Sequence, residues 1–175
     1  DKVEAYADNS SNPAPTESDY STAGVTGVTA ANLADINVAI DALVAGDVDS
    51  AAKIQAIVDQ VIADLAAAAE VVAAIDKVEA YADNNANTVP ELADYSTAGV
   101  TGVTAANLDD VNAAIDALVA GDVDSASEIQ AIVDQVIADL ASAAAVVAAI
   151  DKVEAYADNS SNPAPTESDY STAGV

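Results

Sequence analysis

The chain has 175 residues, of which 52% are hydrophobic, and its 4 basic residues stand against 30 acidic ones for a net charge of −26. This charge disfavours nucleic acid and anionic membranes as partners, and periodic hydrophobic residues in this proportion exclude a disordered chain. Histidine and cysteine are absent, which excludes Ser–His and Cys–His catalysis, disulfides and the usual zinc and haem sites. We therefore expect that the protein is not an enzyme and has no nucleic-acid partner. Its acidity is consistent with a salty extracellular environment.

The sequence is a tandem repeat. Residues 1–75 align with residues 76–150 without a gap and are identical at 61 of 75 positions, and residues 151–175 match residues 1–25 at all 25. Such a fixed period predicts a tandem array whose units pack on their neighbours. We assign 1–75 to repeat 1, with its first helix truncated, 76–150 to repeat 2, and 151–175 to the start of a truncated repeat 3.

In chain order, the first predicted element is the tail of a helix from Asp1 to Ala7. The stretch from Asp8 to Pro15 is rich in Pro, Asn and Ser and predicts a loop. It contains the sequon Asn9-Ser10-Ser11, a short pattern that often occurs by chance. Thr16 and Asp19 have the spacing of a capping box, which predicts a short helix over Glu17–Ala23.

A second helix of about 16 residues is predicted from Ala30 to Ala45, with Thr29 as its N-cap and Gly46 just beyond its end. Its apolar stripe is formed by Leu33, Ile36, Ile40, Leu43 and Val44, whereas Asp35, Asn37 and Asp41 are expected to point elsewhere. Only a short connection, Asp47-Val48-Asp49, leads from this helix to the next one, so we expect the two helices to be antiparallel.

The third helix is the longest predicted element. Ser50–Asp83 and its copy Ser125–Asp158 contain no Gly or Pro, which predicts one unbroken helix of about 50 Å. Apolar residues spaced by three and four predict one continuous seam on it, formed by Ile54, Val58, Val61, Leu65, Ala68, Val72 and Ile75. Its longest uncharged apolar stretch, Leu140–Ile150, is far shorter than a membrane span, and we expect no membrane insertion.

The length of this helix predicts how the repeats are joined. Its first half can pack on the second helix of its own repeat and its second half on that of the following repeat. The predicted fold is therefore all-α, with tandem antiparallel three-helix bundles that share a long helix in a rod-like array. By packing, the modules cover approximately residues 1–66, 67–141 and 142–175, and each repeat should extend the rod by roughly 25 to 30 Å.

Two kinds of side chain remain as candidates for a site. Asp47 and Asp49, with Asp122 and Asp124 in the second repeat, are weak candidates for calcium, because they lack the spacing of an EF-hand loop and also fit as solvated helix caps. Tyrosine recurs twice per repeat. We interpret each ring as a plug that holds a loop on the bundle end while its hydroxyl reaches water. No catalytic or cofactor-binding residue is assigned.

The segments DYSTAGVTGVTAANLADINVAI (Asp19–Ile40) and DYSTAGVTGVTAANLDDVNAAI (Asp94–Ile115) resemble the GA-like tandem repeats of very large bacterial surface proteins. The stretch Ala23-Gly24-Val25-Thr26 is also similar, more loosely, to the first turn of the albumin-binding GA module. The resemblance implies a three-helix fold, export to the cell surface, and service as a stalk or fibre in adhesion and biofilm formation.

Together these features predict a structural tandem-repeat segment of a large extracellular surface protein, acting as a shaft or filament. The alternative is a repeated binding module that recognises a host or surface macromolecule. The expected partners are neighbouring repeats of the same chain, with lateral self-association into fibres as a further possibility. At a net charge of −26, lateral packing would need screening by salt or by divalent cations such as calcium.

Overall fold

The computed structural model describes all residues 1–175, with 66% of them in helices and none in strands, which confirms the predicted all-α class. The eight α-helices are α1 (Lys2–Asp8), α2 (Glu17–Thr22), α3 (Leu33–Asp41), α4 (Ala51–Asp83), α5 (Leu92–Thr97), α6 (Leu108–Asp116), α7 (Ala126–Asp158) and α8 (Glu167–Thr172). Two short 3-10 helices cover Ala45–Asp47 and Ala120–Asp122. The chain divides into two units, Asp1–Glu70 and Val71–Val175.

The first unit has a core made by α1, α2, α3 and the first turns of α4. Tyr20 of α2 belongs to this core and is completely buried. The other buried members of this core are aliphatic side chains from α1, α3, α4 and the loops, namely Val3, Ala7, Val25, Ile36, Ile40, Val48, Ile54 and Val58. The short helix α2 is therefore a packed part of the core, whereas Pro15 is the only buried residue of the long loop Asp8–Pro15.

The second unit repeats this core at the equivalent positions of the next repeat. Tyr95 takes the place of Tyr20, and Val111 takes the place of Ile36. The remaining buried members come from α4, α6, α7 and the loops, namely Ala74, Val78, Ala82, Ala98, Val100, Ile115, Val123, Ile129 and Val133. α4 thus contributes Ile54 and Val58 to the first core and Ala74, Val78 and Ala82 to the second.

The two long helices begin and end close to the predicted positions. α4 and α7 each have 33 residues. Ser125 caps α7, because its Oγ accepts the backbone N–H of Glu128 at 3.3 Å, and Asn159 ends the helix in an extended conformation. The absence of Gly and Pro allows the helices to continue between these points.

The predicted apolar seam on α4 is wrong in its middle. Ile54 and Val58 are buried, but Leu65 is exposed and Val72 is 56% exposed. The physical reason is the length of the helix that packs on α4 in the first unit. α3 has only nine residues, which is about 14 Å of helix, so it cannot cover an apolar stripe that continues beyond Val61.

The predicted second helix, Ala30–Ala45, is also too long, because α3 begins at Leu33 and ends at Asp41. Asn32 stops it at the N-terminal side. Its Oδ1 accepts the N–H of Thr29 at 2.7 Å and its Nδ2 donates to the carbonyl of Gly27 at 2.9 Å, so the residues before it form a closed turn. At the other side Val44 is extended. Asn107 makes the same bonds in the second unit.

Gly102 provides a test of this turn. Its φ is +86°, and a Cβ at this position would lie 2.8 Å from Cδ1 of Ile137, whereas Gly99 has φ +81° with open space around it. We expect Gly102→Ala to lower the free energy of unfolding of the second unit by about 1–3 kcal/mol, from the left-handed backbone and the displaced Ile137 together. Gly99→Ala should lower the free energy of unfolding only through the strain of the left-handed backbone. Urea unfolding followed by amide hydrogen exchange measures both, and equal losses would contradict the contact.

Candidate functional site

A hydrogen-bonded bridge, which we call the tyrosine bridge, is present in both units. It joins the short helix (α2 or α5) to the helix that follows it (α3 or α6) and to the loop that precedes it. The hydroxyl of Tyr95 donates to Oδ1 of Asn112 at 2.6 Å, and Nδ2 of Asn112 donates to the carbonyl of Pro90 at 3.0 Å. Tyr20 makes the same bridge through Asn37 at 2.7 Å. The prediction that these hydroxyls reach water is therefore wrong for Tyr20 and Tyr95, because an asparagine of α3 or α6 accepts a hydrogen bond from each hydroxyl.

The same bridge corrects the expected position of Asn37, whose counterpart Asn112 is buried. The amide of each asparagine points toward the tyrosine hydroxyl rather than away from the core. The constant spacing of the Tyr and the Asn did not indicate this contact, because every pair of identical residues keeps its spacing in a repeat without gaps. Burial raises the pKa of Tyr95 well above its ordinary value, and Tyr81 and Asp94 add to the effect. Tyr95 therefore loses its proton at a lower pH in the unfolded chain than in the folded one. As a result, the free energy of unfolding falls as the pH rises beyond about 10.

A glutamine side chain, which we call the glutamine clamp, holds the loop after α2 on the long helix. Oε1 of Gln55 accepts the N–H of Thr26 at 2.8 Å, and Nε2 of Gln55 donates to the carbonyl of Thr26 at 3.1 Å. Gln130 and Thr101 form the same pair of bonds after α5 at 2.7 and 3.1 Å. An amide that bonds both backbone groups of one residue acts like a strand partner, so it fixes the loop against the helix.

An ion pair, which we call the lysine staple, fastens the short helix in each copy. Lys2 pairs with Asp19 at 2.6 Å, and the equivalent pairs are Lys77–Asp94 at 2.5 Å and Lys152–Asp169 at 2.6 Å. Lys2 lowers the pKa of Asp19 to about 2, with Thr16 as the next cause. Because this folded-state pKa lies below the unfolded value of about 4, the contribution to stability is present above that value and is lost as the pH falls through the lowered pKa. Three of the four basic side chains thus serve the fold.

The four calcium candidates lie in two equivalent turns, where they make local contacts. Asp47 and Asp122 each accept the N–H of the residue three before them at 3.4 Å. Asp49 forms an ion pair with Lys53 at 2.9 Å, and Asp124 lies beside Glu128. No group of three or more acidic side chains is arranged to hold a metal ion. Calcium binding at these residues stays a prediction.

Repeat 1 has Lys53 at the position where repeat 2 has Glu128. An ion pair in the first repeat is therefore replaced by a pair of carboxylates in the second. Hydrogen bonding and repulsion from Glu128 raise the pKa of Asp124. We expect Glu128→Lys to recreate the Asp49–Lys53 arrangement and to move the titration of Asp124 to lower pH. In the parent chain the repulsion is relieved as the pH falls through the raised pKa. Carboxyl NMR titration measures the shift, and an unchanged Asp124 would contradict the pairing.

An open groove of about 390 Å³ lies beside α3 and α4 in the first unit. It is mainly apolar and is lined by Ala39, Leu43, Ala56, Ile57, Gln60, Val61 and Asp64. The equivalent residues of the second repeat are identical at all of these places. The groove has no histidine, cysteine or basic side chain, so what it offers a ligand is shape and apolar surface.

The helix α7 carries exposed large apolar side chains, namely Ile137, Leu140, Val146, Val147 and Ile150. By length and composition alone, the helix Ala126–Asp158 could cross a membrane. The prediction of no membrane insertion rested on the shorter stretch Leu140–Ile150 and stays a prediction. α4 is less apolar because it carries Glu70 where α7 has Ala145.

Comparisons with known proteins found no matching protein-family model, no matching curated protein and no matching solved structure.

Proposed function

We propose that this chain is a structural segment of a large extracellular surface protein, in which tandem repeats form a shaft or filament for adhesion and biofilm formation. The observation that carries the proposal is the reuse of one set of bonds at equivalent positions of the repeats. The bond of the tyrosine bridge is 2.7 Å long in the first unit and 2.6 Å in the second. The corresponding distances are 2.8 and 2.7 Å in the glutamine clamp and 2.6 and 2.5 Å in the lysine staple. Repetition of one unit makes a protein longer, and it does not require a site that is unique to one copy.

The proposed shaft depends on α4. We propose that successive three-helix bundles share this helix and that its Ala-rich middle, Ala66–Ala69, keeps it stiff. The support is that residues near the start of α4 belong to one core and residues near its end to the other. Alanine has the highest helix propensity of all residues, and a continuous helix resists bending more than a loop does.

We propose that the chain has no enzymatic role. The carboxylates with lowered pKa values, Asp19, Asp94 and Asp169, are held by lysine and by the cap of a helix. The tyrosines with raised pKa values are enclosed in the cores. A shifted pKa therefore has a structural cause at each of these positions. The strong acidity suits an extracellular location in salty surroundings.

The length of longer arrays tests the shaft. In chains with added copies of residues 76–150, small-angle scattering should show a maximum dimension that grows linearly, by roughly 25 to 30 Å per repeat. A flexible string of bundles would instead grow with about the square root of the repeat number. Square-root growth, or growth of a single compact body, would contradict the proposal.

A second candidate, a repeated binding module for a host or surface macromolecule, is favoured by the groove beside α3 and α4. Its lining is identical in the two repeats, although 14 of 75 positions differ elsewhere. A module that binds the same partner at each repeat needs such an unchanged surface. Leu43→Glu together with Leu118→Glu would abolish binding to a cell surface by this route, whereas the dimensions of the array would not change.

A further inference from the structure

The residues of the groove beside α3 and α4 are exposed to the same degree in both repeats. The largest apolar side chains that line it are half-buried in each repeat, namely Leu43, Ile57 and Val61 and their counterparts Leu118, Ile132 and Val136. The remaining lining residues agree in the same way. Repeat 1 is followed by repeat 2, and repeat 2 is preceded by repeat 1. The exposed apolar surface therefore belongs to the repeat itself, whichever neighbour the repeat has.

Carboxylates accompany this apolar surface. Asp64 lines the groove, and its Oδ1 accepts a hydrogen bond from Nε2 of Gln60 at 2.7 Å. Asp35 is exposed and precedes Ala39 by four residues in α3, so it lies on the same face of that helix as the groove. Both carboxylates recur at the equivalent positions of the second repeat. Each groove thus combines apolar side chains with at least two negative charges.

The charges near the groove select the sign of its ligand. The nearest lysine in sequence, Lys53, is paired with Asp49 at 2.9 Å, and the second repeat has Glu128 in its place. A second copy of this chain carries a net charge of −26, so its approach to these carboxylates is repelled. A ligand with basic groups beside an apolar surface is complementary to both features of the groove.

The form of the ligand follows from the secondary structure around the groove. The chain contains no strand, so an extended peptide has no sheet edge to pair with. No aromatic side chain lines the groove, as a polyproline segment would require. An amphipathic helix instead places residues at i, i+3, i+4 and i+7 into an apolar groove. Because α3 has nine residues, or about 14 Å of helix, the contact covers about two or three turns.

We infer that the groove binds a basic amphipathic peptide, which becomes helical when it binds. Its apolar residues contact Leu43, Ile57 and Val61, and its Lys or Arg residues lie beside Asp35 and Asp64. So short a helix is marginal in water by itself, and the groove supplies the apolar surface that stabilises it. The inference rests on the second candidate function, the repeated binding module, and gives that module a class of ligand.

The test is isothermal titration calorimetry of the complete 175-residue chain with a synthetic peptide of about 14 residues. The peptide has Leu at helical spacings of three and four and Lys at the other positions. One control peptide has the same composition in scrambled order, and another has Glu in place of Lys. We expect about two peptides per chain, at least about tenfold weaker binding of either control, and weaker binding as NaCl is raised. Circular dichroism should show that the bound peptide gains helix.

A pair of carboxylate variants tests the charge of the groove. Asp64→Asn with Asp139→Asn should weaken binding of the basic peptide by about threefold to tenfold. Asp59→Asn with Asp134→Asn is the matched control and removes the same charge from the same two helices. Each of these carboxylates also accepts the amide of a glutamine four residues before it, at 2.8 Å, but Asp59 does not line the groove. The control should change the affinity by less than about twofold.

A second pair of variants tests the apolar contact. Leu43→Ser with Leu118→Ser should weaken binding of the basic peptide by about tenfold or more. Val44→Ser with Val119→Ser is the matched control, because these valines are exposed in both repeats and Val44 does not line the groove. It should change the affinity by less than about twofold. Circular dichroism of the free proteins checks that all four variants keep their helices.

Three results would overturn the inference: equal binding of the basic and the scrambled peptide, equal effects of the Asp64 and Asp59 variants, or binding without a gain of helix. Self-association of the chain that Leu43→Ser with Leu118→Ser abolishes would assign the groove to a second copy and overturn it too. Cell-surface binding that Leu43→Glu with Leu118→Glu abolishes, in a chain that does not bind the basic peptide, would support the binding module and overturn only the peptide as its ligand.

Discussion

Replacing Tyr95 by alanine is expected to lower the free energy of unfolding of the second unit by about 3–5 kcal/mol, as for other large aromatic side chains removed from a core. Tyr95 is completely buried, and its ring contacts the apolar core of this unit. The substitution also leaves the buried side chain of Asn112 without the hydroxyl that now donates to it at 2.6 Å. Loss of packing and an unpaired polar group act in the same direction.

Two further variants separate these causes. Tyr95→Phe keeps the ring and removes only the hydroxyl, so we expect a loss of about 1–3 kcal/mol from the unpaired Asn112. Tyr170→Ala changes the equivalent residue of the third copy, which is 39% exposed, and should cost less than about 1 kcal/mol. Amide hydrogen exchange under increasing urea measures the stability of the second unit in each variant. Equal losses for Tyr95→Ala and Tyr170→Ala would contradict the plug role of Tyr95.

Replacing Ala68 by proline is expected to break α4 at its centre. Proline removes the helical hydrogen bond from residue 68 and its ring clashes with the carbonyl of residue 64, at a cost of about 3 kcal/mol or more. Ala68 belongs to neither hydrophobic core, so we expect both units to keep their own hydrogen-exchange protection. The damage should be confined to the connection.

The matched control is Ala143→Pro, the same substitution at the equivalent position of α7. It has the same local cost, but α7 is not the proposed connection between the two units. A variant pair of this kind distinguishes loss of a joint from loss of helix in general. Circular dichroism should therefore report similar losses of helix for both variants.

The long helices could be predicted from the sequence because their causes are local. Runs without Gly or Pro continue as helix, and Ser125 and Asn159 mark where α7 begins and ends. The short helix α2 was predicted for the same reason, since Thr16 and Asp19 form the expected cap. Boundaries that depend on neighbouring residues alone are visible without a structure.

The errors concern features that depend on tertiary contacts. The predicted second helix was too long because the amide of Asn32 closes a turn with Gly27 and Thr29, which helix propensity does not reveal. The hydroxyl of Tyr95 was expected in water because nothing in the periodicity places Asn112 inside the core. The apolar seam through Leu65 failed because α3 has nine residues instead of about 16. In each case side-chain contacts outside the local helical pattern decided the outcome.

The proposal that α4 is a stiff joint is tested most directly by the distance between the two units. The natural chain has no cysteine, so Val38→Cys and Ala113→Cys, two exposed positions in α3 and α6, carry the only spin labels. Double electron–electron resonance should give one narrow distance distribution, which Ala68→Pro broadens and Ala143→Pro leaves unchanged. A distribution that is already broad in the parent chain, or one that Ala68→Pro does not alter, would contradict the joint.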